Sequence, residues 1–178
     1  PDGKTAYVAN EDAPVTPIRT ATNTALTPIK VGIEARTIAI TPDGKTAYVV
    51  ANPGSDTVTP IRTATNTALA PINVGHSPEI IAITPDGKTA YVASDEGASV
   101  ASVSGTVTPI RTATNTALTP IKLGGHPNAM AITPDGKTAY VANEDAPVTP
   151  IRTATNTALT PIKVGRLPFA IAITRPSA

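Results

Sequence analysis

The chain has 178 residues, of which 40% are hydrophobic, and this is enough apolar material for one folded domain. Its formal net charge of +1 gives no global attraction to nucleic acid or to anionic membranes, and the absence of cysteine excludes disulfides and thiolate chemistry. No apolar run approaches the ~20 residues needed to span a bilayer. We therefore predict neither nucleic-acid binding nor membrane insertion.

The tetrapeptide Pro-Asp-Gly-Lys recurs along the chain. It starts at residues 1, 42, 85 and 134 and is followed each time by Thr-Ala-Tyr-Val. A second block, Val-Thr-Pro-Ile-Arg-Thr-Ala-Thr-Asn-Thr-Ala-Leu, starts at residues 15, 58, 107 and 148. A period of roughly 40 residues is typical of repeat architectures. We predict a single domain, 1–178, made of repeats 1–41, 42–84, 85–133 and 134–174, and we expect that sequence before residue 1 was removed.

Four strands are predicted in each unit, read here from residue 37. Residues 37–41 form a short β-branched run, and the Pro-Asp-Gly turn that follows uses proline to preset φ and Gly44 to accept a positive φ. The returning strand covers residues 45–51, and both strands are apolar on both faces, as expected between neighbouring sheets. Strand three covers residues 58–63, a turn covers 64–67, and strand four covers about 68–74. The unit is predicted to be an antiparallel meander.

Prolines fall inside the last two strands of each unit, for example Pro60 in strand three and Pro71 in strand four. Proline cannot donate to a sheet ladder and is normally confined to edges or bulges. Strand four is the predicted outer edge, where proline also limits unwanted edge pairing. Strand three is flanked on both sides, so we predict a bulge or a short pairing at Pro60.

A single sheet of this kind cannot bury both of its faces, so the copies must stack. Radial stacking predicts an all-β fold, a β-propeller of four-stranded antiparallel blades, with a β-solenoid as the alternative. Residues 169–174 resemble a first strand, and the N-terminus starts without one, so we predict that the C-terminal strand completes the N-terminal blade. Small side chains favour near-parallel sheets. A four-bladed ring needs a wide angle between its blades, which small side chains do not favour. Three arrangements therefore stay open: a four-bladed monomer, a homodimer completing a larger, eight-bladed ring, and a fragment of a larger propeller.

The sequence Tyr-Val-Ala-Asn at Tyr7 and Tyr140, with close variants at Tyr48 and Tyr91, lies between Pro-Asp-Gly-Lys and Ala-Thr-Asn-Thr. This pattern resembles the YVTN-family β-propeller repeat over essentially the whole chain. The resemblance implies a fold similar to that of lactonase-like propellers, and an extracellular or cell-surface location. Family members are commonly seven-bladed and often carry aspartate where this chain has arginine after Thr-Pro-Ile.

Differences between the copies collect in two loops. One loop joins strands two and three and includes a long insertion at residues 94–105, and the other joins strand four to the next unit. In an up-and-down blade both loops open on the same face, which is the candidate binding face because binding residues concentrate on loops. The candidate ligand-binding residues are His76, Glu79, His126, Asn128, Arg36, Arg166, Asp95 and Glu96.

The two faces are also predicted to differ in charge. The opposite face carries a lysine in each repeated turn and an arginine near each strand-three end, which makes it modestly basic. The variable face is predicted to be acidic because of Glu11, Asp12, Asp95, Glu96, Glu144 and Asp145.

Catalytic motifs are missing from the sequence. There is no Gly-x-Ser-x-Gly, His-Glu-x-x-His or glycine-rich phosphate loop, so we predict no catalytic residue, no metal ligand and no cofactor. We expect a non-catalytic scaffold or binding module that presents its variable loops to a protein or glycan partner. A lactonase-like hydrolase with an axial site at His76, His126 and Glu79 is the alternative, by fold analogy. A self-assembling surface structural protein is a further alternative.

Overall fold

A computed structural model describes residues 2–32, 34–51, 56–96, 105–144 and 146–174. Within these ranges the chain forms seventeen strands in four antiparallel sheets and no helix. It follows that no helix of the described ranges is long and apolar enough to cross a membrane. The predicted all-β class is confirmed.

The sheets follow the repeats in chain order. The first sheet holds β1 (Thr5–Val8), β2 (Thr16–Arg19) and β3 (Thr24–Ala25). The second holds β4 (Ala35–Ile40), β5 (Thr46–Ala51), β6 (Thr57–Arg62), β7 (Thr67–Ala68) and β8 (Ile72–Asn73). The third holds β9 (Pro78–Ile83), β10 (Thr89–Asp95), β11 (Gly105–Arg111), β12 (Thr116–Ala117) and β13 (Ile121–Lys122). The fourth holds β14 (Pro127–Ile132), β15 (Thr138–Asn143), β16 (Ala146–Arg152) and β17 (Thr157–Ala158).

Within a sheet, the first four strands follow one another as hydrogen-bonded antiparallel neighbours, or the first three in the first sheet, so the predicted meander is confirmed. In the second sheet the order is β4-β5-β6-β7, and β8 pairs with β6 farther along the same side. The predicted fourth strand is therefore two short segments, separated by the residues around Pro71.

The Pro-Asp-Gly turn between β4 and β5 is a hydrogen-bonded unit. Gly44 has a φ of 73°, and its amide donates to the Thr41 carbonyl at 2.8 Å. Asp43 Oδ1 accepts from the Thr41 hydroxyl at 2.6 Å and from the Lys45 amide at 3.0 Å. These two donors, the hydroxyl first, lower the pKa of the Asp43 carboxyl. The motif is therefore the hairpin that the sequence predicted.

Strand three has no bulge at Pro60, but the predicted short pairing is present, because β6 pairs with β7 only at Ile61 and Arg62, directly after the proline. The β5 and β6 pairing runs from Thr46↔Arg62 through Tyr48↔Pro60 to Ala51↔Thr57 without a register shift. The Pro60 carbonyl accepts from the Leu69 amide at 2.8 Å, so the position without an N–H faces the interruption between β7 and β8. The break in strand four removes the need for a bulge, and the register shift lies instead between β4 and β5, at Ala35/Thr37.

The apolar strands lie between neighbouring sheets, as predicted. Ala47 to Ala51 in β5 are all fully buried. Alternate side chains of β5 pack on different neighbours: Tyr48 and Val50 join a cluster with the third sheet, and Ala47 and Val49 join a cluster with the first sheet. Since the third and fourth sheets share a further cluster, the four sheets stack side by side in chain order.

A tyrosine–asparagine hydrogen bond joins each pair of adjacent sheets. Tyr48 Oη donates to Asn115 Oδ1 at 2.6 Å, across from the second sheet to the third. The equivalent contacts have the same length, 2.6 Å. They join Tyr7 to Asn66 and Tyr91 to Asn156. Each asparagine occupies the turn between strands three and four.

The C-terminal segment does not complete the first sheet. Among the described residues β1 pairs only with β2, and residues 169–174 form no strand. Asn128 Nδ2, in β14, instead donates to the Pro168 carbonyl at 3.3 Å, which places the start of this segment beside the fourth sheet. In the described part of the chain the predicted pairing of the C-terminal strand with the N-terminal sheet is therefore absent, and no sheet closes on itself.

Candidate functional site

The two variable loops meet at one edge of each sheet, called the loop edge here. In the second sheet, His76 Nδ1 lies 3.0 Å from Asp56 Oδ1, so the connection after β8 contacts the loop before β6. The amide of Ser77 donates to the same Asp56 oxygen at 3.2 Å. Asp56 therefore orients the histidine and the backbone that follows it. Of the β5–β6 loop, residues 52–55 lie outside the described residues.

A second histidine–aspartate contact lies at the equivalent place in the third sheet. His126 Nδ1 is 2.8 Å from Asp95 Oδ1, and both side chains are about three-quarters shielded from solvent, with 24% and 28% exposure. A hydrogen on Nδ1 directed at the carboxylate leaves Nε2 as the acceptor of the neutral ring. The His126 carbonyl accepts from the Glu144 amide at 2.7 Å, so this histidine is also fixed to the fourth sheet.

Glu96 takes part in a different contact. Its Oε1 accepts from the Thr106 hydroxyl at 2.6 Å, which ties the two ends of the long insertion together. Residues 97–104 of that insertion lie outside the described residues.

Arg36, Glu79 and Asn128 occupy equivalent positions, each the second residue of the first strand of its sheet. Strands β4, β9 and β14 lie side by side, and the Thr37 hydroxyl donates to the Glu79 carbonyl at 2.8 Å. These three side chains therefore form a row across three sheets. Arg36 contacts Glu34 at 3.7 Å, and both side chains are partly exposed, so this pair adds little stability.

The sequence had predicted an acidic loop edge. The structure shows that this edge carries both negative and positive side chains. A depression of about 390 Å³ on the first sheet is lined by Glu11, Asp12 and Glu34 but also by Lys30. The equivalent depression on the fourth sheet, about 320 Å³, brings Lys163 and Arg166 beside Glu144. The fourth-strand lysines reach this edge because strand four ends there. Asp145 lies outside the described residues.

The opposite edge, called the turn edge here, repeats one arrangement in every sheet. Each turn lysine lies 3.3–3.7 Å from the aspartate of its own turn, as in Lys88 with Asp86. These pairs are largely exposed and neutralise each other locally, so the turn lysines contribute little to the predicted basic character of this edge. Arginine ends strand three at the same edge, as predicted.

Metal-binding geometry is not found in the described ranges. No group of three or more histidine, aspartate and glutamate side chains there lies close enough to hold an ion. The His126–Asp95 and His76–Asp56 pairs belong to different sheets, and each histidine keeps its own carboxylate.

Comparisons with known proteins address the fold. No protein-family model and no curated protein matches the chain. Among solved structures the chain is similar to hydrazine synthase of Kuenenia stuttgartiensis, a protein that contains a β-propeller, with 28% sequence identity and a TM-score of 0.78. The similarity covers 89% of this chain and 46% of that one, so this chain spans less than half the length of its structural neighbour. The class defined here is an all-β protein of four stacked antiparallel sheets.

Sequence reasoning missed three features of the loop edge. It did not identify Asp56 as the partner of His76, although both lie in variable loops, which was the available signal. Lys30 and Lys163 were also missed. Both lie near the end of strand four, and the direction of that strand was not used to predict that they reach the loop edge. The structure brings His126 and Asp95 together, but it places Arg36 and Arg166 at separate sheets.

Proposed function

We propose that this chain is a non-catalytic β-propeller-type binding module that presents its loop edge to a protein or glycan partner. One observation carries the proposal. The turn edge repeats the same hydrogen bonds in sheet after sheet. The loop edge has the same asparagine contacts in the first and fourth sheets, but the histidine–aspartate contacts of the second and third sheets set these two apart. A scaffold that varies only at one edge is suited to recognition there, since binding residues concentrate on loops held by a rigid framework.

The contacts at the loop edge support recognition because they hold polar side chains in fixed positions. Asp95 fixes the His126 ring at 2.8 Å, and Asp56 fixes the His76 ring at 3.0 Å. Side chains held before binding lose less conformational entropy when a partner arrives. The mixed charges of the neighbouring depressions provide both donors and acceptors for such a partner.

We also propose membership of the YVTN-type propeller repeats and an extracellular or cell-surface location. The support comes from the motif itself, whose residues have structural roles in this fold. Its Pro-Asp-Gly forms the hairpin turn at Gly44, and its tyrosine and asparagine form the inter-sheet contact at Tyr48 and Asn115. The similarity to hydrazine synthase supports the propeller-type fold but not that protein's activity.

Glycan and peptide arrays test the binding role. The wild-type chain is compared with His126→Gln and Asp95→Asn at the loop edge, and with Lys88→Gln at the turn edge as the matched control. We expect both loop-edge variants to reduce binding at least fivefold on any array feature that the wild type recognises, and the control to bind as the wild type does. Equal binding by all four chains, or no array feature bound at all, would contradict the proposal.

A hydrolase is the second candidate, and the His126–Asp95 contact favours it. A neutral imidazole that donates from Nδ1 to a carboxylate presents Nε2 as a base, which is the arrangement used to activate water or a hydroxyl. Lactone and ester hydrolysis by the wild type that is lost in His126→Gln, and retained in Lys88→Gln, would establish it over the binding role.

A further inference from the structure

The first strands of three sheets each carry one extra residue at the loop edge. In β4 the pairing with β5 skips Arg36, because Ala35 and Thr37 face consecutive residues of β5. The same shift in register leaves Glu79 in β9 and Asn128 in β14 without a partner in the ladder. A β-bulge of this kind re-aims a side chain, and bulges are common next to functional sites. The row described above is therefore a row of bulged residues.

The bulged position is also the one that changes most between these strands. It holds arginine, glutamate or asparagine, whereas the rest of each strand holds only small or apolar residues. The second and third sheets each pack against a sheet on either side, so internal junctions position Arg36 and Glu79. A shared backbone feature that carries a different polar side chain in each copy is suited to individual contacts with a partner.

The two charges of the row remain open to a partner. Arg36 lies 3.7 Å from Glu34, but the Arg36 side chain is 49% exposed, and a contact of this kind is weak enough to be exchanged. Glu79 is half-buried, and its carboxylate forms no ion pair with any residue that the structure describes. A positive and a negative group therefore stand on neighbouring strands without neutralising each other.

The spacing of the row fits an extended peptide. The Thr37 hydroxyl donates to the Glu79 carbonyl at 2.8 Å, so one threonine side chain bridges the backbones of β4 and β9 beside Arg36. Side chains two residues apart in an extended chain share a face and lie about 7 Å from each other, which is a comparable span. One strand further along, Asn128 donates from Nδ2 to the Pro168 carbonyl at 3.3 Å, which leaves its Oδ1 as an acceptor.

We propose that the row of Arg36, Glu79 and Asn128 binds an extended segment of a partner protein that carries one acidic and one basic side chain two residues apart. Arg36 binds the acidic side chain through its two-pronged guanidinium, and Glu79 binds the basic one. Asn128 Oδ1 accepts a hydrogen bond from a backbone amide of the segment. This inference rests on the proposed binding role, because it names the partner of the same loop edge.

Fluorescence anisotropy with short, labelled, end-capped peptides tests the charge pattern. The probe carries aspartate and lysine separated by one glycine, in a background of serine and glycine. Three comparison peptides carry two aspartates, two lysines, or asparagine and glutamine at the same positions. We expect the wild type to bind the mixed-charge peptide at least about tenfold more tightly than any of the three, because like charges placed together are strongly disfavoured.

Charge reversal gives the decisive result. Arg36→Glu makes both charges of the row negative, so we expect this variant to prefer the peptide with two lysines. Glu79→Arg makes both positive, so we expect a preference for two aspartates, and the double variant should prefer the mixed peptide again. Lys122→Glu is the matched control, because it reverses a charge on β13, which lies on the far side of the third sheet from β9. It should keep the wild-type preference, and circular dichroism checks that every variant folds.

Three outcomes would overturn the proposal. One is equal binding, or no binding, of all four peptides by the wild type, and another is an unchanged preference in Arg36→Glu or Glu79→Arg. The third is displacement of the labelled peptide by free glycine at a similar concentration, which would show that the row takes a single amino acid. Array binding that depends on His126 and Asp95, together with any of these outcomes, would leave the binding role standing and remove only this inference.

Discussion

Tyr91 and Asn156 lie 65 residues apart in the sequence, yet the hydroxyl of one is 2.6 Å from Oδ1 of the other. The same hydroxyl lies 3.3 Å from the Thr153 carbonyl, so the ring is held at the turn of the following sheet. Asn156 has a φ of 52°, in the left-handed region that asparagine tolerates better than most residues. One asparagine therefore both shapes its own turn and accepts the tyrosine of the neighbouring repeat.

Substitution of this asparagine by glycine separates the two roles. Asn115→Gly keeps the positive φ but removes the acceptor of the buried Tyr48 hydroxyl, so we expect a loss of about 1–2 kcal/mol in the free energy of unfolding. Asn23→Gly is the matched control, because Asn23 has the same φ and no tyrosine donor among the described residues. We expect a change of less than about 0.5 kcal/mol there. Urea denaturation measures both, and equal losses would contradict the assignment.

The tyrosines are expected to titrate in separate groups. Burial, with a smaller effect from the charges of Asp43 and Asp86, raises the pKa of Tyr48 and of Tyr91 to about 12. The chain has four tyrosines and no tryptophan, so tyrosinate absorbance reports on them directly. We expect two groups to titrate at about pH 12, and Tyr48→Phe to remove one of them.

This titration also predicts how stability depends on pH. The unfolded-state pKa of tyrosine is 10.0, and the folded-state value of about 12 means that the unfolded chain loses its proton first. The stabilisation is complete below pH 10 and is lost as the pH rises through about 12. Thermal unfolding across this range should show the loss, and Tyr48→Phe should reduce it. Titration of Tyr48 and Tyr91 near pH 10 would contradict their burial between sheets.

The Pro-Asp-Gly turn is predicted to depend on its glycine. Gly87 has a φ of 71°, and a Cβ there would lie 3.2 Å from Cδ of Pro42 in the neighbouring turn. We expect Gly87→Val to lower the free energy of unfolding by at least about 1–2 kcal/mol, because side chains disfavour the left-handed region. Gly3→Val has the same strain, with a φ of 67°, but no atom within 4 Å of the added Cβ, and should cost less. Unchanged thermal stability of Gly87→Val would contradict the hairpin assignment.

The parts of the fold that could be predicted are the ones determined locally. The turn at Gly44 and the apolar strand β5 follow from residue types that are adjacent in sequence, and both are confirmed. Of the two alternatives predicted at Pro60, the short pairing is confirmed and the bulge is wrong. The missing N–H faces the break in strand four, and the position of that break depends on how two strands align. The C-terminal strand was expected to meet β1, but that depends on the curvature of the whole stack, which side-chain sizes alone do not determine.

For the candidate site, the sequence predicted which edge of the sheets carries the variable loops, but not the contacts between the side chains there. The alternation of strand directions correctly brought the loops of His76 and His126 to the same edge, since strands two and four run the same way. Their partners, Asp56 and Asp95, were not assigned because these contacts join different loops across a sheet. The inter-sheet role of Tyr91 and Asn156 was missed for the same reason.

A double-mutant cycle on Tyr91 and Asn156 tests the claim that this hydrogen bond joins neighbouring sheets. Urea denaturation gives the free energy of unfolding for the wild type, Tyr91→Phe, Asn156→Gly and the double variant. We predict that each single variant loses about 1–2 kcal/mol and that the double variant loses little more than either, a coupling energy of about 1 kcal/mol. Strictly additive losses, with a coupling energy of zero, would show that the two side chains do not interact and would contradict this account.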